Sequence, residues 1–266
     1  MGETSETAEV QVLQADGVAR VVVSNPAKRN AMTLAIKQQL IEAFQKLDDD
    51  AGTRCVVVTG AGTKSFISGA DISEFDKHRF DLKAEAEYLK ITTAAVMAPA
   101  QASKPVIASI RGACAGGGLQ LAVNCDIRIA ARSAFFIMPA ARLGLGYPYP
   151  LIANFVSLLG RGRVADLFMS ARRVSAEEAL AIGLVNQVVA DDEFESAVAS
   201  YAADVAANAP LALKVVKESI RRFAGTTSAE VPPNIQQMLD ACTASQDAIE
   251  GRTAFREKRK PLFRGR

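Results

Sequence analysis

The spacing of apolar and polar residues changes several times along this chain, and each change marks an element. Over 9–24, Val10 and Val12 alternate with polar residues, Asp16-Gly17 interrupts, and Val18 with Val21-Val22-Val23 resumes, which predicts a β-hairpin. Asn25-Pro-Ala-Lys-Arg-Asn30 reads as a loop. Over 33–48, Leu34, Ile36, Leu40, Ile41, Phe44 and Leu47 fall on one helical face. Cys55–Thr59 reads as a buried strand ended by Gly60-Ala-Gly62. Residues 82–101 predict a helix stopping near Pro99, and Pro105–Ile110 another strand. Gly116-Gly117-Gly118 opens a helix running through Asn124. Asp126–Ala130, Phe135–Met138 and Val185–Val189 predict further strands. Beyond 150 the pattern is mostly helical, with breaks near Gly160, Gly183, Pro210 and Pro232-Pro233.

Strands and helices alternate in the first two-thirds, and helices dominate the last third. That order predicts an α/β core with a helical C-terminal segment. No linker, low-complexity run or internal repeat is visible. The expected division is a core over 1–200, with 1–8 as a flexible tail, and a helical segment over 201–266 that packs on the core or on another subunit.

Composition narrows the class. With 49% hydrophobic and 23% charged residues the chain is an ordinary globular one. No apolar run approaches the roughly 18–20 residues that cross a bilayer, so no membrane partner is expected. The polar, acidic start Met1-Gly-Glu-Thr-Ser-Glu-Thr7 lacks the features of a secretory or transit peptide, which points to a cytoplasmic protein. Cys55, Cys114, Cys125 and Cys242 form no C-x-x-C pair and read as buried, reduced thiols. His78 is the sole histidine, which excludes a histidine-rich metal site, and no metal is expected.

A net charge of +2 hides a basic end, since residues 252–266 hold seven Lys/Arg against Glu257 alone. Such an end attracts polyanions. No nucleic-acid-binding pattern accompanies it, so a ligand carrying several phosphates fits better than nucleic acid.

The candidate chemistry lies in two loops, Lys64–Ile72 and Arg111–Gln120. Their small residues let a ligand approach the backbone. Where a helix starts at the glycines, N–H groups point outward without intrahelical partners. Two such groups converging on one point form an oxyanion hole. The glycines complete neither a G-x-G-x-x-G fingerprint nor a P-loop. No G-x-S-x-G occurs either, and one histidine leaves little scope for a serine triad.

Five ordered segments carry a resemblance. Asn25-Pro-Ala-Lys-Arg-Asn-Ala-Met32 is similar to an N-P-x-x-x-N-A loop, and Phe66-Ile-Ser-Gly-Ala-Asp-Ile72 to an F-x-x-G-A-D-[IL] loop. Gly112–Gln120 follows with Asn124-Cys-Asp-Ile-Arg-Ile-Ala130, then Ala171–Val189, then Phe255–Phe263. Together they resemble the enoyl-CoA hydratase/isomerase (crotonase) superfamily over nearly the full length. The resemblance implies a crotonase/ClpP-like ββα spiral with two nearly perpendicular sheets. It implies an acyl-CoA thioester substrate, with coenzyme A as part of that substrate and no separate cofactor, and a homotrimer or a hexamer of paired trimers. It implies an oxyanion hole from the backbone N–H groups of Ser68 and Gly117. It places Lys28, Arg29, Ala31 and the Ser68-Gly69-Ala70-Asp71-Ile72 loop near coenzyme A, with the basic tail reaching its phosphates.

The family's hydratases use two glutamates. The resemblance puts the first at Gln120 and the second at Ala140, so neither carboxylate is present here. A positioned acid or base is typically worth about 10²–10⁴-fold. Gln120 keeps only hydrogen bonding with which to orient a ligand or water. Tyr147 resembles the tyrosine some decarboxylases of the family place beside the acyl group. Asp71, Glu74, Asp76 and His78 are further candidates, and Arg142 could pair with a substrate carboxylate. Decarboxylation or C–C cleavage, which generate the enolate directly, fit this residue set best, followed by isomerisation. An acyl-CoA-binding protein with little turnover and a weak hydratase using another base stay open. A peptidase on the same spiral does not, because His78 sits in the wrong context.

Overall fold

The computed structural model describes residues 8–78, 81–222 and 233–266. The hairpin is formed by β1 (Glu9–Ala15) and β2 (Val18–Ser24), with Asp16 and Gly17 both at positive φ in its turn. Helix α1 (Leu34–Asp49) starts at Thr33, whose side chain accepts the Ile36 N–H. It buries Ile36, Lys37, Leu40, Ala43, Phe44 and Leu47 on one face. Then follow β3 (Cys55–Gly60), β4 (Ser65–Ile67), α2 (Phe75–His78) and α3 (Leu82–Gln101). After α3 come β5 (Val106–Ile110), β6 (Ala113–Ala115), α4 (Gly117–Val123), β7 (Ile127–Ala131) and β8 (Phe135–Ile137). The remainder comprises α5 (Tyr149–Leu159), α6 (Arg161–Ala165), β9 (Val174–Ser175), α7 (Ala176–Ala181), β10 (Gln187–Val189), α8 (Phe194–Ala206), α9 (Pro210–Arg222), α10 (Pro233–Ala244) and α11 (Gln246–Glu257).

Strand order reveals the architecture. One sheet runs β1-β2-β3-β5-β7-β10, parallel except for the hairpin. A second runs β4-β6-β8-β9, parallel except for β9. In three successive turns of chain, the first strand (β3, β5, β7) joins the large sheet, the second (β4, β6, β8) joins the small one, and helix follows. This is a ββα spiral. No sequence repeat announces it, since each coil needs only strand spacing and a tight corner, not identical residues. The corners are glycines under pressure. A methyl on Gly60 would lie 1.9 Å from Phe66 O, and one on Gly112 would lie 2.2 Å from Lys64 O.

Of the small sheet, the sequence reading has β8, expected over Phe135–Met138, and lacks β4, β6 and β9. β4 and β6 are three residues each and sit inside the two glycine loops, too short to show a period. The helix expected over 82–101 has those bounds and runs two residues past Pro99. A proline in the last turn removes one backbone donor, and Ala102 N–H still reaches Ala98 O at 3.0 Å.

The central strands β3, β5 and β7 of the large sheet are buried on both faces, as parallel strands are. Val56 and Val58 join a core with Leu40, Phe44 and Phe155. Cys55 and Val57, pointing the other way, pack with Ile107 and Ile129 beneath Phe194, Val198 and Ala202 of α8. Helix α8 crosses residue 200, so the boundary expected there falls within one packed helix. Cys55, Cys114 and Cys125 are buried and free, and Cys242 is half-buried rather than buried. Burial pushes the thiols of Cys55 and Cys125 up to about 12, which leaves them unreactive. No helix among the described residues is long and apolar enough to cross a membrane. Residues 1–7, Arg79, Phe80 and the Pro232 part of the expected helix break lie outside the described residues.

Candidate active site

Parallel pairing of β4 with β6 brings the two glycine loops side by side. Chain leaves β4 as Ser68-Gly69-Ala70 and leaves β6 as Gly116-Gly117. A methyl added to Gly69 would lie 3.4 Å from Ala115 O and 3.8 Å from Gly117 N. Gly118 is packed still harder, its missing methyl falling 2.3 Å from Ile67 O. Glycine at these positions is what allows the backbones to touch.

A third segment clamps the first loop. Met32 N–H donates to Gly69 O at 2.8 Å, and Asp71 N–H donates to Met32 O at 3.0 Å. Asn30, itself at positive φ, donates from Nδ2 to Ala61 O and Ser65 O, while its Oδ1 accepts the Asn25 N–H. Asn25 Nδ2 donates to the carbonyl of buried Ala31. The two asparagines of the first motif are therefore loop fasteners.

As the first residue of α4, Gly117 has an N–H with no intrahelical acceptor. Ser68 N–H points at Arg29 O, 3.3 Å away, near the long limit of a hydrogen bond. Ser68 Oγ donates to Lys28 O at 3.1 Å. Both residues border a cavity of about 150 Å³ whose wall also includes Ile72, Ala140, Tyr147 and Leu151. Among the described residues, no charged side chain lines it.

The sequence candidates divide around this cavity. Ala140 opens a short 3-10 turn and contributes its methyl to the wall. Tyr147 also lines it, edge-on to Phe168 at 5.1 Å. Burial pushes the Tyr147 phenol well up, so it stays neutral across the physiological range. Gln120 is not in the wall. It is fully buried, with Nε2 donating to Leu151 O at 3.3 Å and Oε1 without a partner. The amide ties α4 to α5. Glu74 is tied up too, accepting Leu34 N–H at 2.8 Å and capping α1. Arg142 is exposed and reaches Ser170 O at 3.5 Å, away from the cavity wall. His78 is half-buried rather than solvated, stacked on Tyr88 at 6.4 Å between ring centroids. The Asp76 side chain lies outside the described residues.

Lys28 Nζ meets Asp71 Oδ2 at 2.7 Å and Ser73 Oγ at 2.8 Å. Arg29 is exposed in the left-handed region. In the basic tail, Arg259 is held by Glu250 and Glu257, both 2.6 Å away. Burial opposes ionisation of Asp71, but Lys28, the Ser73 hydroxyl and the Ser73 N–H outweigh it. Together they hold the carboxyl below its usual value of 3.8. A depressed pKa contributes stability above the unfolded value, and loses it as pH falls through the folded one. Asp71→Asn is therefore expected to cost about 1–3 kcal/mol near pH 7. Urea unfolding of both forms checks this: the difference should shrink below pH 3.8, and a difference independent of pH would assign it to packing instead.

Three residues beside the cavity escaped the sequence reading. Tyr88 and Thr92 lie in its wall, one turn apart on α3, and fully buried Lys37 of α1 donates to both. The available signal was a lysine in register with Leu40, Phe44 and Leu47 on an apolar helix face.

A family model described as enoyl-CoA hydratase/isomerase matches residues 14–266. The chain belongs to the enoyl-CoA hydratase/isomerase family. YngF of Bacillus subtilis is 33% identical over 248 residues, covering 93% of this chain and 95% of YngF. The short-chain-enoyl-CoA hydratase of Clostridium acetobutylicum is 31% identical over 256 residues, 94% of this chain and 95% of that enzyme. Among solved structures, an enoyl-CoA hydratase/carnithine racemase from Magnetospirillum magneticum superposes with a TM-score of 0.92 at 35% identity, covering 97% of this chain and 96% of that one. The crotonase fold expected from the resemblance is the fold observed. The two positions that the resemblance assigns to glutamates hold a buried amide, Gln120, and a methyl group, Ala140.

Proposed function

We propose that the chain binds an acyl-CoA with its thioester oxygen at the N–H groups of Gly117 and Ser68, the latter shared with Arg29 O. The reaction that fits the cavity is cleavage of a C–C bond to give the thioester enolate, ahead of isomerisation and well ahead of two-glutamate hydration. One observation carries this reading: unpaired backbone N–H at the cavity edge, with no carboxylate among the described wall residues. In decarboxylation the bonding pair between Cα and the leaving carboxylate moves into the enolate, CO2 departs, and Cα takes a proton from water or from neutral Tyr147. Fixed N–H dipoles stabilise the negative oxygen most at the transition state, which is where stabilisation accelerates a reaction. No general base is required.

Lys28, Arg29 and the 68–72 loop would receive coenzyme A, with the basic tail contributing to its phosphates. A homotrimer, or hexamer of paired trimers, is the proposed assembly. Val216 and Ile220 on α9 and Ile249 and Phe255 on α11 are exposed apolar residues available to bury between subunits. A binding protein with little turnover is the second reading, favoured by the same uncharged wall.

Acetoacetyl-CoA tests the oxyanion site without requiring turnover. Its ultraviolet enolate band should grow when it binds at fixed pH. Binding without growth of the band would overturn the oxyanion assignment. Release of CO2 from malonyl-CoA then separates enzyme from binding protein.

A further inference from the structure

Tyr88 and Thr92 are a polar stretch in an otherwise largely apolar wall, and they share a donor. Lys37 Nζ lies 2.5 Å from Tyr88 Oη and 3.0 Å from Thr92 Oγ1, and 3.9 Å from the Tyr88 ring centroid. The tyrosine is held further by Phe75, edge-on at 6.0 Å, and by stacked His78. Taking an ammonium out of water costs several kcal/mol before its partners repay it. Position 37 lies on the apolar face of α1, among Ile36, Leu40 and Phe44. Packing alone does not account for a lysine aimed at two hydroxyls in a cavity wall.

A threonine hydroxyl has one proton and two acceptor sites. Lys37 occupies one acceptor site of Thr92, so the Thr92 proton is directed at something other than Lys37. Accepting from an ammonium polarises the hydroxyl and strengthens it as a donor. Thr92, half-buried, lines the cavity.

We propose that Thr92, positioned by Lys37 beside Tyr88, donates a hydrogen bond to an oxygen on the acyl chain. The substrates are then acyl-CoA thioesters that carry a carbonyl or a carboxylate on the acyl group. This rests on the thioester reading above and deepens it. Those are also the acyl groups whose C–C bond breaks directly to an enolate.

Calorimetric titration with butyryl-CoA, acetoacetyl-CoA and malonyl-CoA tests the assignment. Butyryl and acetoacetyl differ by one methylene against one carbonyl, and malonyl supplies the carboxylate. Wild type should favour one or both oxygen-bearing thioesters over butyryl-CoA. Thr92→Val, nearly isosteric, should reduce that affinity ratio about tenfold, the worth of one hydrogen bond to a charged or polarised group. Tyr88→Phe should reduce it in the same direction. A preference for acetoacetyl-CoA identifies the carbonyl and one for malonyl-CoA the carboxylate. A ratio near one in wild type, or a ratio that Thr92→Val leaves as it was, overturns the assignment while the thioester site stands. Failure of all three to bind wild type overturns the thioester reading itself.

Discussion

Crotonyl-CoA hydration should rise by about 10²–10⁴-fold when Gln120→Glu and Ala140→Glu are introduced together, the usual range for restoring positioned acid and base groups. Position 140 already lines the cavity, and its backbone is fixed by the turn Ala140–Leu143. Position 120 lies one turn into α4, its N–H on Gly116 O at 3.0 Å. There the two changes differ in kind. Glutamate at 140 enters a cavity open to substrate and water. Glutamate at 120 replaces an amide that donates to Leu151 O, so a carboxylate would face a carbonyl in a buried site. Burial and that lone pair favour the protonated acid. Gln120→Glu alone should therefore supply an acid without a base, and each single variant should fall short of the pair. Loss of the enoyl-thioester absorbance measures all four proteins. Wild-type turnover near the ~10 s⁻¹ typical of enzymes would sink the claim that Gln120 and Ala140 disable hydration. An inert double variant that still binds crotonyl-CoA would show that the two positions do not face the reacting carbons.

What could be read from the sequence followed what has a period or a motif. The hairpin, α1, α3 and the large-sheet strands declare themselves by valine runs and helical stripes. Three strands of the small sheet do not: β4 and β6 are three residues long inside glycine loops and β9 is two residues long, whereas β8 shows as the Phe135–Met138 run. The loops that carry Ser68 and Gly117 were found by their glycines, and the structure gives the reason: each missing Cβ is the space another backbone occupies. Side-chain roles were less legible. Glu74 and Gln120 looked available by type and position, yet one caps α1 and the other holds α5. Those partners, Leu34 N–H and Leu151 O, are 40 and 31 residues away in sequence. The Lys37–Tyr88–Thr92 cluster spans two helices 51 or more residues apart, and only the lysine's misplacement on an apolar face hinted at it.

The oxyanion assignment is tested most sharply at Gly117, where a backbone donor can be removed with little cost to the fold. Proline is accepted at the first helical position because its missing N–H is an orphan there and its fixed φ suits the helix. Gly117 occupies that position in α4. The preceding Gly116, at φ 49 and ψ −117, lies outside the α region that proline disfavours in its neighbour. The added Cβ would come within 3.0 Å of Met32 Cε, the free end of a flexible side chain that can turn aside. Gly117→Pro should thus stay folded while losing one of two oxyanion donors, which typically costs about 10²–10³ in turnover. The enolate band of bound acetoacetyl-CoA should fall with it. Gly117→Ala adds the same Cβ but keeps the N–H, and so should retain most of both signals. The decisive comparison is between these two variants. A large loss in proline and a small one in alanine places the effect at the Gly117 nitrogen, where the proline ring removes the donor and fills the space it faced, and not at the added Cβ. Equal losses would mean that the added carbon blocks the cavity, and the oxyanion would have to be placed on other donors of the 68–70 loop.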